Sequence, residues 1–470
     1  MIWKRWFRAD DAETTVEPAN RDDAVASGNT EPFQPIAPAD LQRPAFLDQL
    51  WREPEDRSRG QTLPRFSASA SDDVEGGDDS EMARRKLALR DALGASQPVI
   101  NRDVFAGRHD ALGQLITAVE QNRVHVVIYG ERGIGKTSLA HVFAETAREA
   151  RYLVLYGSCG SDADFSAMFK AFCARIPRLY HSSVLPNSAD AEKGDHFDSM
   201  LPDHFGPREL ADVLADVIGT RVLIILDEYD RVVDANFRRD VAELIKNLSD
   251  RAARVQLVLT GVAQNLDELI GYAPSIRRNI VGLPMRPLNG AEVKELLAIG
   301  EAAAGIRYSD EACTMITTMA GGSPYLVRLL SHAAGMAALD QRRDVVSPEH
   351  GRTAVERVLN DWNASLPRRV QVNLAREDAR ANWPLLIAAA RAGSSADGFF
   401  SADDVITELG SNITPGLNNP AFVERELKQF AGPHNLLERS EAGGTARFRF
   451  AYPGVSSLLL ISAALARLTP

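Results

Sequence analysis

The chain is 470 residues long, 45% hydrophobic and 25% charged, an ordinary globular composition at a length suited to roughly two to three domains. It has no continuous apolar window of the ~18 residues a membrane helix needs; the nearest, Val455 to Leu468, is broken by serines and an arginine. Met1 to Asp10 is basic and aromatic without the apolar run of a secretory signal. Cys159, Cys173 and Cys313 lack metal-ligand spacing and cannot form a disulfide framework, so the composition points to the reducing cytoplasm. A net charge of -11 argues against a surface coated for nonspecific nucleic-acid binding.

The acidity is concentrated at the start. Residues 1–82 carry 9 Lys+Arg against 18 Asp+Glu, leaving 44 against 46 in residues 83–470. Rich in Asp, Glu, Pro, Ser and Ala, with scattered apolar residues, 1–82 reads as a disordered acidic leader that cannot offset its ordering entropy. Two islands interrupt it: Ile2 to Arg8, with Trp3 and Trp6, and Phe46 to Trp51. The first suits a partner protein or an anionic membrane face; chance clustering is the plainer reading of both.

Residues 83–286 alternate between short β-branched runs and helical patterns. His125–Tyr129, Tyr152–Tyr156, Val222–Leu226, Val255–Leu259 and the weaker Ile280–Leu283 read as strands, with helices such as Phe165–Arg175 and Arg208–Ile218 between them. Buried strands alternating with helices imply a parallel sheet covered on both faces. The polar stretch Pro177–Phe205 reads as an inserted loop. After Pro287 the strands stop, and Ala291–Leu297, Ser309–Met319, Pro324–Leu339 and Pro348–Leu359 make residues 287–365 a small all-α unit. In residues 366–470, a polar stretch (Leu366–Arg380) leads to helices at Trp383–Ala392, Ser401–Leu409 and Pro420–Phe430. A hairpin of Leu436–Arg439 and Ala446–Phe450 around the turn Glu441–Gly444 follows. Three helices and a hairpin is the order of a winged helix.

The strongest chemical signal is Gly130-Glu131-Arg132-Gly133-Ile134-Gly135-Lys136-Thr137-Ser138, which matches G-x-x-x-x-G-K-[ST] between a predicted strand and a helix over Ser138–Arg148. Glycines let successive backbone N–H groups turn towards phosphate oxygens at a helix amino terminus. Lys136 is placed for the β and γ phosphates of ATP, and the Thr137 hydroxyl for Mg²⁺, which prefers oxygen ligands. Asp227 and Glu228 lie at the end of an apolar strand, Asp227 91 positions after Lys136. Asp227 suits Mg²⁺ through water, and Glu228 suits the deprotonation of an attacking water. Thr260 closes another strand, either positioning water or the γ-phosphate or simply ending the strand. Arg277 and Arg278 precede the fifth strand, as a candidate arginine finger or as a solvated surface pair.

Together these residues resemble the AAA+ ATPases, in particular the origin-recognition-like and STAND branch. The likeness spans about residues 100–365, from Val104-Phe105-Ala106-Gly107-Arg108 through the P-loop and Asp227-Glu228 to the helical lid. It implies an AAA+-type P-loop sheet with a helical lid and a C-terminal winged-helix domain. It also implies that Val104 and Arg108 lie near the adenine and that Arg278 acts in a nucleotide-dependent homo-oligomer. Where replication initiators of this family usually carry a lid arginine, the chain has Gly321-Gly322-Ser323-Pro324, closer to the Gly-x-Pro of STAND regulators, with Arg328 one turn later. That leans towards a slow ATPase switch acting on an unidentified protein partner. The alternative is an initiator, transposition-type or transcription-type ATPase whose nucleotide gates DNA contact through residues 383–470. Against it, the expected recognition helix offers Arg425 and Lys428 but also Glu424 and Glu426, and the hairpin only Arg447 and Arg449.

Overall fold

The computed structural model describes residues 78–184, 195–263, 265–271, 276–393, 398–410, 419–432, 436–442 and 445–468, all within the unit of residues 36–470. The readings of residues 1–77, including both aromatic islands, lie outside them. A helix, α1 (Asp78–Leu93), already begins inside the segment read as leader. Among the described residues no helix is long and apolar enough to cross a membrane.

The five predicted strands form one sheet: β1 (His125–Gly130), β2 (Leu153–Ser158), β3 (Val222–Asp227), β4 (Val255–Val262) and β5 (Ile280–Pro284). Their order is β2-β3-β4-β1-β5, and every pairing is parallel. Successive side chains go to opposite faces: Val127, Leu155, Ile224 and Leu257 to one buried cluster, Val126, Ile128, Leu223 and Ile225 to the other. The helices α2 (His109–Glu120) and α3 (Lys136–Glu149) cover the second face. The first is covered by α4 (Phe165–Cys173), α5 (Pro207–Ala215) and α6 (Ala235–Asp250). Because all five strands run the same way, their carboxyl ends share one edge, where ligands of open α/β sheets bind.

Pro177–Phe205 is more than a polar loop. Its described parts hold two short 3-10 turns and bury Phe197, Leu201 and Phe205, apolar residues spaced too widely to stand out among polar neighbours. Beyond the short helix α7 (Leu266–Ile270) come α8 (Gly290–Ala304), α9 (Asp310–Ala320), α10 (Pro324–Asp340) and α11 (Pro348–Ser365), the helices of the segment expected as a lid. The strands do not quite stop there, since β6 (Arg307–Tyr308) pairs in parallel with β7 (Val345–Val346). The helix α1 packs with the lid: Leu89 and Leu93 are in its core, and a Cβ on Gly335 would sit 2.7 Å from a Leu89 methyl.

Leu366–Arg380, expected as a polar connection, is mostly helical, as α12 (Arg368–Ala375) and α13 (Glu377–Ala381). Its Leu366, Val370, Leu374 and Ala379 are buried while the polar residues face outward. The expected helices follow as α14 (Trp383–Ala392), α15 (Ala402–Leu409) and α16 (Pro420–Ala431), then the hairpin β8 (Leu437–Ala442) and β9 (Thr445–Phe450), and finally α17 (Pro453–Leu468). Phe400 bridges β9 at Phe448. One buried cluster runs from α1 through the lid to α17. Lid and carboxy-terminal elements therefore share a core.

Candidate functional site

At the carboxyl edge of the sheet a cleft of about 680 Å³ opens between the sheet and the lid, within the range of small-molecule sites. Its floor is the turn from β1 to α3. Gly130, Gly133 and Gly135 have φ of 148°, 78° and 93°, angles that a residue with a Cβ rarely adopts. They let the backbone wrap inward at the start of a 14-residue helix, whose dipole favours an anion.

Lys136 is buried and donates to the carbonyls of Gly130 (2.9 Å) and Glu131 (2.7 Å). Burial lowers its ammonium to about 8, with Asp230, Asp227 and Glu131 pulling the other way and Arg132 adding to the fall. Arg108 and Arg328 are also buried in the cleft walls. Arg108 donates to the Ile134 carbonyl at 3.3 Å, and its Nε has no hydrogen-bond partner among the described residues. Arg328 donates to the Ala92 carbonyl at 2.7 Å and to that of Val104; burial alone lowers it to about 10. Among the described residues no carboxylate hydrogen-bonds any of these three cations. Buried cations bonded only to carbonyls keep part of their desolvation cost, and an anionic ligand relieves it.

The carboxylates converge from β3. Asp227 is buried, and its Oδ1 accepts from the Glu228 N–H (2.9 Å), the Thr137 hydroxyl (3.3 Å) and the Thr260 hydroxyl. Its Oδ2 accepts from the Tyr156 phenol at 2.6 Å. The Thr260 hydroxyl is thus given to Asp227. Burial, then the hydrogen bond to Asp227, push the Tyr156 phenol far up, so it stays a donor. Glu228 stands at φ 54°, ψ 37°, a left-handed conformation costing about 1–3 kcal/mol for a residue with a side chain. Its Oε2 accepts from Arg231 (2.7 Å) and from Ser158 (3.0 Å). The oxygen donors Thr137 and Asp227 suit a hard divalent cation.

The far wall is less polar, with Pro98, Val99, Phe105, Ala106 and Leu296. The Val99 N–H donates to Ser138 Oγ at 3.1 Å, which ties this wall to α3. Arg328 pins both ends of the loop that carries it. Phe105 and Ala106 line the cleft, whereas Val104 contributes its carbonyl to Arg328. The cleft also takes in Arg132, Gly133, Ile134, Gly135, Lys136, Thr137, Ser138, Asp227, Glu228 and Thr260. Gly130 and Glu131 present carbonyls to Lys136. Arg277 and Arg278 are outside it: Arg277 pairs with Asp267 at 2.5 Å, and Arg278 lies 3.7 Å from Asp250 with its side chain 76% exposed.

Tyr156, Ser158, Arg231 and the 95–99 wall join the site without having stood out in the sequence. Arg231 had a signal in its i+3 spacing from Glu228; Tyr156 had none, because a tyrosine in a strand reads as core.

Residues 104–260 match the AAA ATPase domain family. A search of the curated proteins finds no match. Among solved structures, the chain is similar to the DNA-bound ORC1 protein of Aeropyrum pernix, at 16% identity and TM-score 0.41 over 81% of this chain and 98% of that one. It is similar to the RuvB Holliday junction branch migration motor of Thermotoga maritima, at 16% identity and TM-score 0.40 over 76% and 95%. The Walker-type ATPase of Pyrococcus abyssi follows at 14% and 0.43 over 77% and 98%. Likenesses this remote leave the site to be read from its own residues. The family match and the five-stranded parallel sheet make this an AAA+-type P-loop fold.

Proposed function

We propose that the chain binds ATP and hydrolyses it slowly, as a STAND-like nucleotide switch in the cytoplasm whose output unit is a winged-helix-like region within residues 366–470. The observation that carries this reading is the meeting of lid and P-loop. Ser323, the cap of α10, lies with its Oγ 3.5 Å from the Gly133 carbonyl, and a Cβ on Gly135 would sit 3.7 Å from Pro324. Phosphates held by the P-loop would lie against that contact, so their presence decides how the lid sits. The shared core of lid and carboxy-terminal elements supports transmission of that movement to α14–α17.

In this reading the P-loop N–H groups and Lys136 bind the β and γ phosphates, and the 95–99 wall with Phe105 and Leu296 receives the base. Thr137 and Asp227 would hold Mg²⁺, which supplies neutralisation of phosphate charge when bound. Glu228 removes a proton from the attacking water, after giving up Arg231 and Ser158. Slow turnover follows from that engagement and from Arg328 being held on the base-side loop. Arg278, exposed beside the sheet edge, is assigned as the finger to a neighbouring copy in a homo-oligomer. Mixing Arg278→Ala with Lys136→Ala would then partly restore activity, whereas turnover independent of concentration and no rescue would remove the assignment.

The switch is tested by limited proteolysis of wild type and Glu228→Gln with and without Mg·ATP. Glu228→Gln is expected to bind ATP, to lose about 10²-fold or more in turnover and to hold one protection pattern; a pattern indifferent to ATP defeats the switch. The reading as a DNA-gating ATPase stands as the outcome in which DNA changes that pattern.

A further inference from the structure

We infer that Tyr156 is a positioning residue that sets the metal preference of the site by fixing Oδ2 of Asp227. The inference rests on the Mg·ATP reading above and adds to it which residue disciplines the carboxylate.

A carboxylate offers about four acceptor positions, two on each oxygen. Oδ1 of Asp227 is more than filled: it takes the Glu228 N–H and the Thr260 hydroxyl, with the Thr137 hydroxyl as a third, longer donor at 3.3 Å. Oδ2 takes the Tyr156 phenol at 2.6 Å. One position on Oδ2 is left, enough for one metal-bound water. The carboxylate cannot turn to present both oxygens to an ion without breaking several of these bonds.

The phenol is itself braced. Its ring stacks on His141 with centroids 4.3 Å apart and planes 12° from parallel. His141 belongs to α3, the helix that opens with Lys136 and Thr137. One helix therefore carries both the threonine expected at the metal and the brace for the tyrosine that faces Asp227 from β2. A core role alone would not require the phenol oxygen to end on this carboxylate.

The consequence is a choice between ions. Mg²⁺ demands near-octahedral geometry and keeps several waters, so it fits an oxygen that offers one water-mediated bond. Ca²⁺ accepts more ligands, irregularly placed, including bidentate carboxylates. Removing the phenol O–H leaves Oδ1 held but frees the second position on Oδ2, so this oxygen can take a further water or meet the ion directly, which harms the ordered Mg²⁺ arrangement more than the tolerant Ca²⁺ one.

The experiment is a titration of the full chain, holding a fluorescent ADP analogue, with Mg²⁺ and separately with Ca²⁺. Tyr156→Phe is expected to bind the analogue in EDTA as wild type does, to need about tenfold more Mg²⁺ for half-effect, and to leave the Ca²⁺ requirement nearly unchanged. A folded Tyr156→Phe protein with the wild-type Mg²⁺/Ca²⁺ ratio overturns the inference. So does wild-type binding that neither metal alters. Should Tyr156→Phe not fold, His141→Leu, which removes the brace and keeps the phenol, is expected to narrow the same ratio; an unchanged ratio there overturns the inference too. Failure of wild type to bind the analogue at all would instead defeat the ATP reading beneath it.

Discussion

The nucleotide cleft and the carboxy-terminal hairpin unit both carry basic residues and treat them in opposite ways. In the cleft Lys136, Arg108 and Arg328 are buried and bound to backbone carbonyls. In the hairpin unit three cations are exposed and matched to carboxylates, Lys428 with Glu424 at 2.6 Å, Arg425 with Glu426 at 3.0 Å and Arg449 with Glu438 at 2.6 Å, while Arg447 donates to the Phe399 carbonyl at 3.2 Å. A surface that neutralises its own cations has little counter-ion release to gain from a phosphate backbone. A cleft that buries cations bonded to carbonyls and to no carboxylate gains from any anion that fits. Position of charge says less than whether the charge is already answered.

The comparison breaks most visibly at Lys136. Lys136→Ala should weaken ATP binding about 10²-fold or more, because the ammonium facing the phosphates makes charge-assisted bonds. Unchanged affinity by isothermal titration would leave the P-loop without its assigned role.

Arg328 tests the other end of the cleft, where the effect should be smaller, about tenfold in nucleotide affinity. Arg328→Ala releases Ala92 and Val104, hence the loop that walls the base. Arg328→Lys should not rescue it, since an ammonium lacks the fork that reaches two carbonyls. Rescue by lysine would make the charge, and not the two-point staple, the operative feature.

The pH dependence of binding sharpens the same contrast. Without ligand the Lys136 ammonium titrates near 8, and bound phosphate holds it protonated. Affinity should therefore be steady below pH 8 and fall above it, by at most about tenfold per unit. The fall should vanish in Lys136→Ala. An affinity flat to pH 9.5 or so in wild type would contradict the buried-cation picture.

The smallest expected effect is on the hairpin unit. Exposed ion pairs contribute little to stability, so Glu424→Gln with Glu438→Gln should leave the melting temperature nearly unchanged. The double substitution should raise affinity for duplex DNA a few-fold at low salt, with a steeper salt dependence than wild type. Tight, steeply salt-dependent DNA binding by the unaltered chain would show that its paired cations are available after all.

The division between what was legible and what was not follows sequence distance. The five strands were readable because short, mostly apolar runs declare buried strands, even with Gln256 inside β4, and the P-loop because glycine, lysine and threonine must be adjacent to surround a phosphate. Helices α12 and α13 were not, because in Leu366–Arg380 the buried residues sit among polar ones and only the neighbouring core shows which face turns in. The start of α1 was hidden in an acidic stretch, because the part of the helix that packs, Leu89 against Gly335, lies later in the helix and meets partners far along the chain.

The sequence by itself determined the sheet, the phosphate loop and the pair Asp227–Glu228, since each is a local pattern whose chemistry demands neighbours in the chain. The tertiary structure alone decided who serves those residues. Tyr156 and Thr260 reach Asp227 across 71 and 33 positions. Arg328 reaches Ala92 and Val104 across 236 and 224 positions. Such contacts are set by the order in which parallel strands pair and by where a lid helix lands on the cleft. A hydrogen bond between distant residues leaves no periodicity or spacing for a sequence to display.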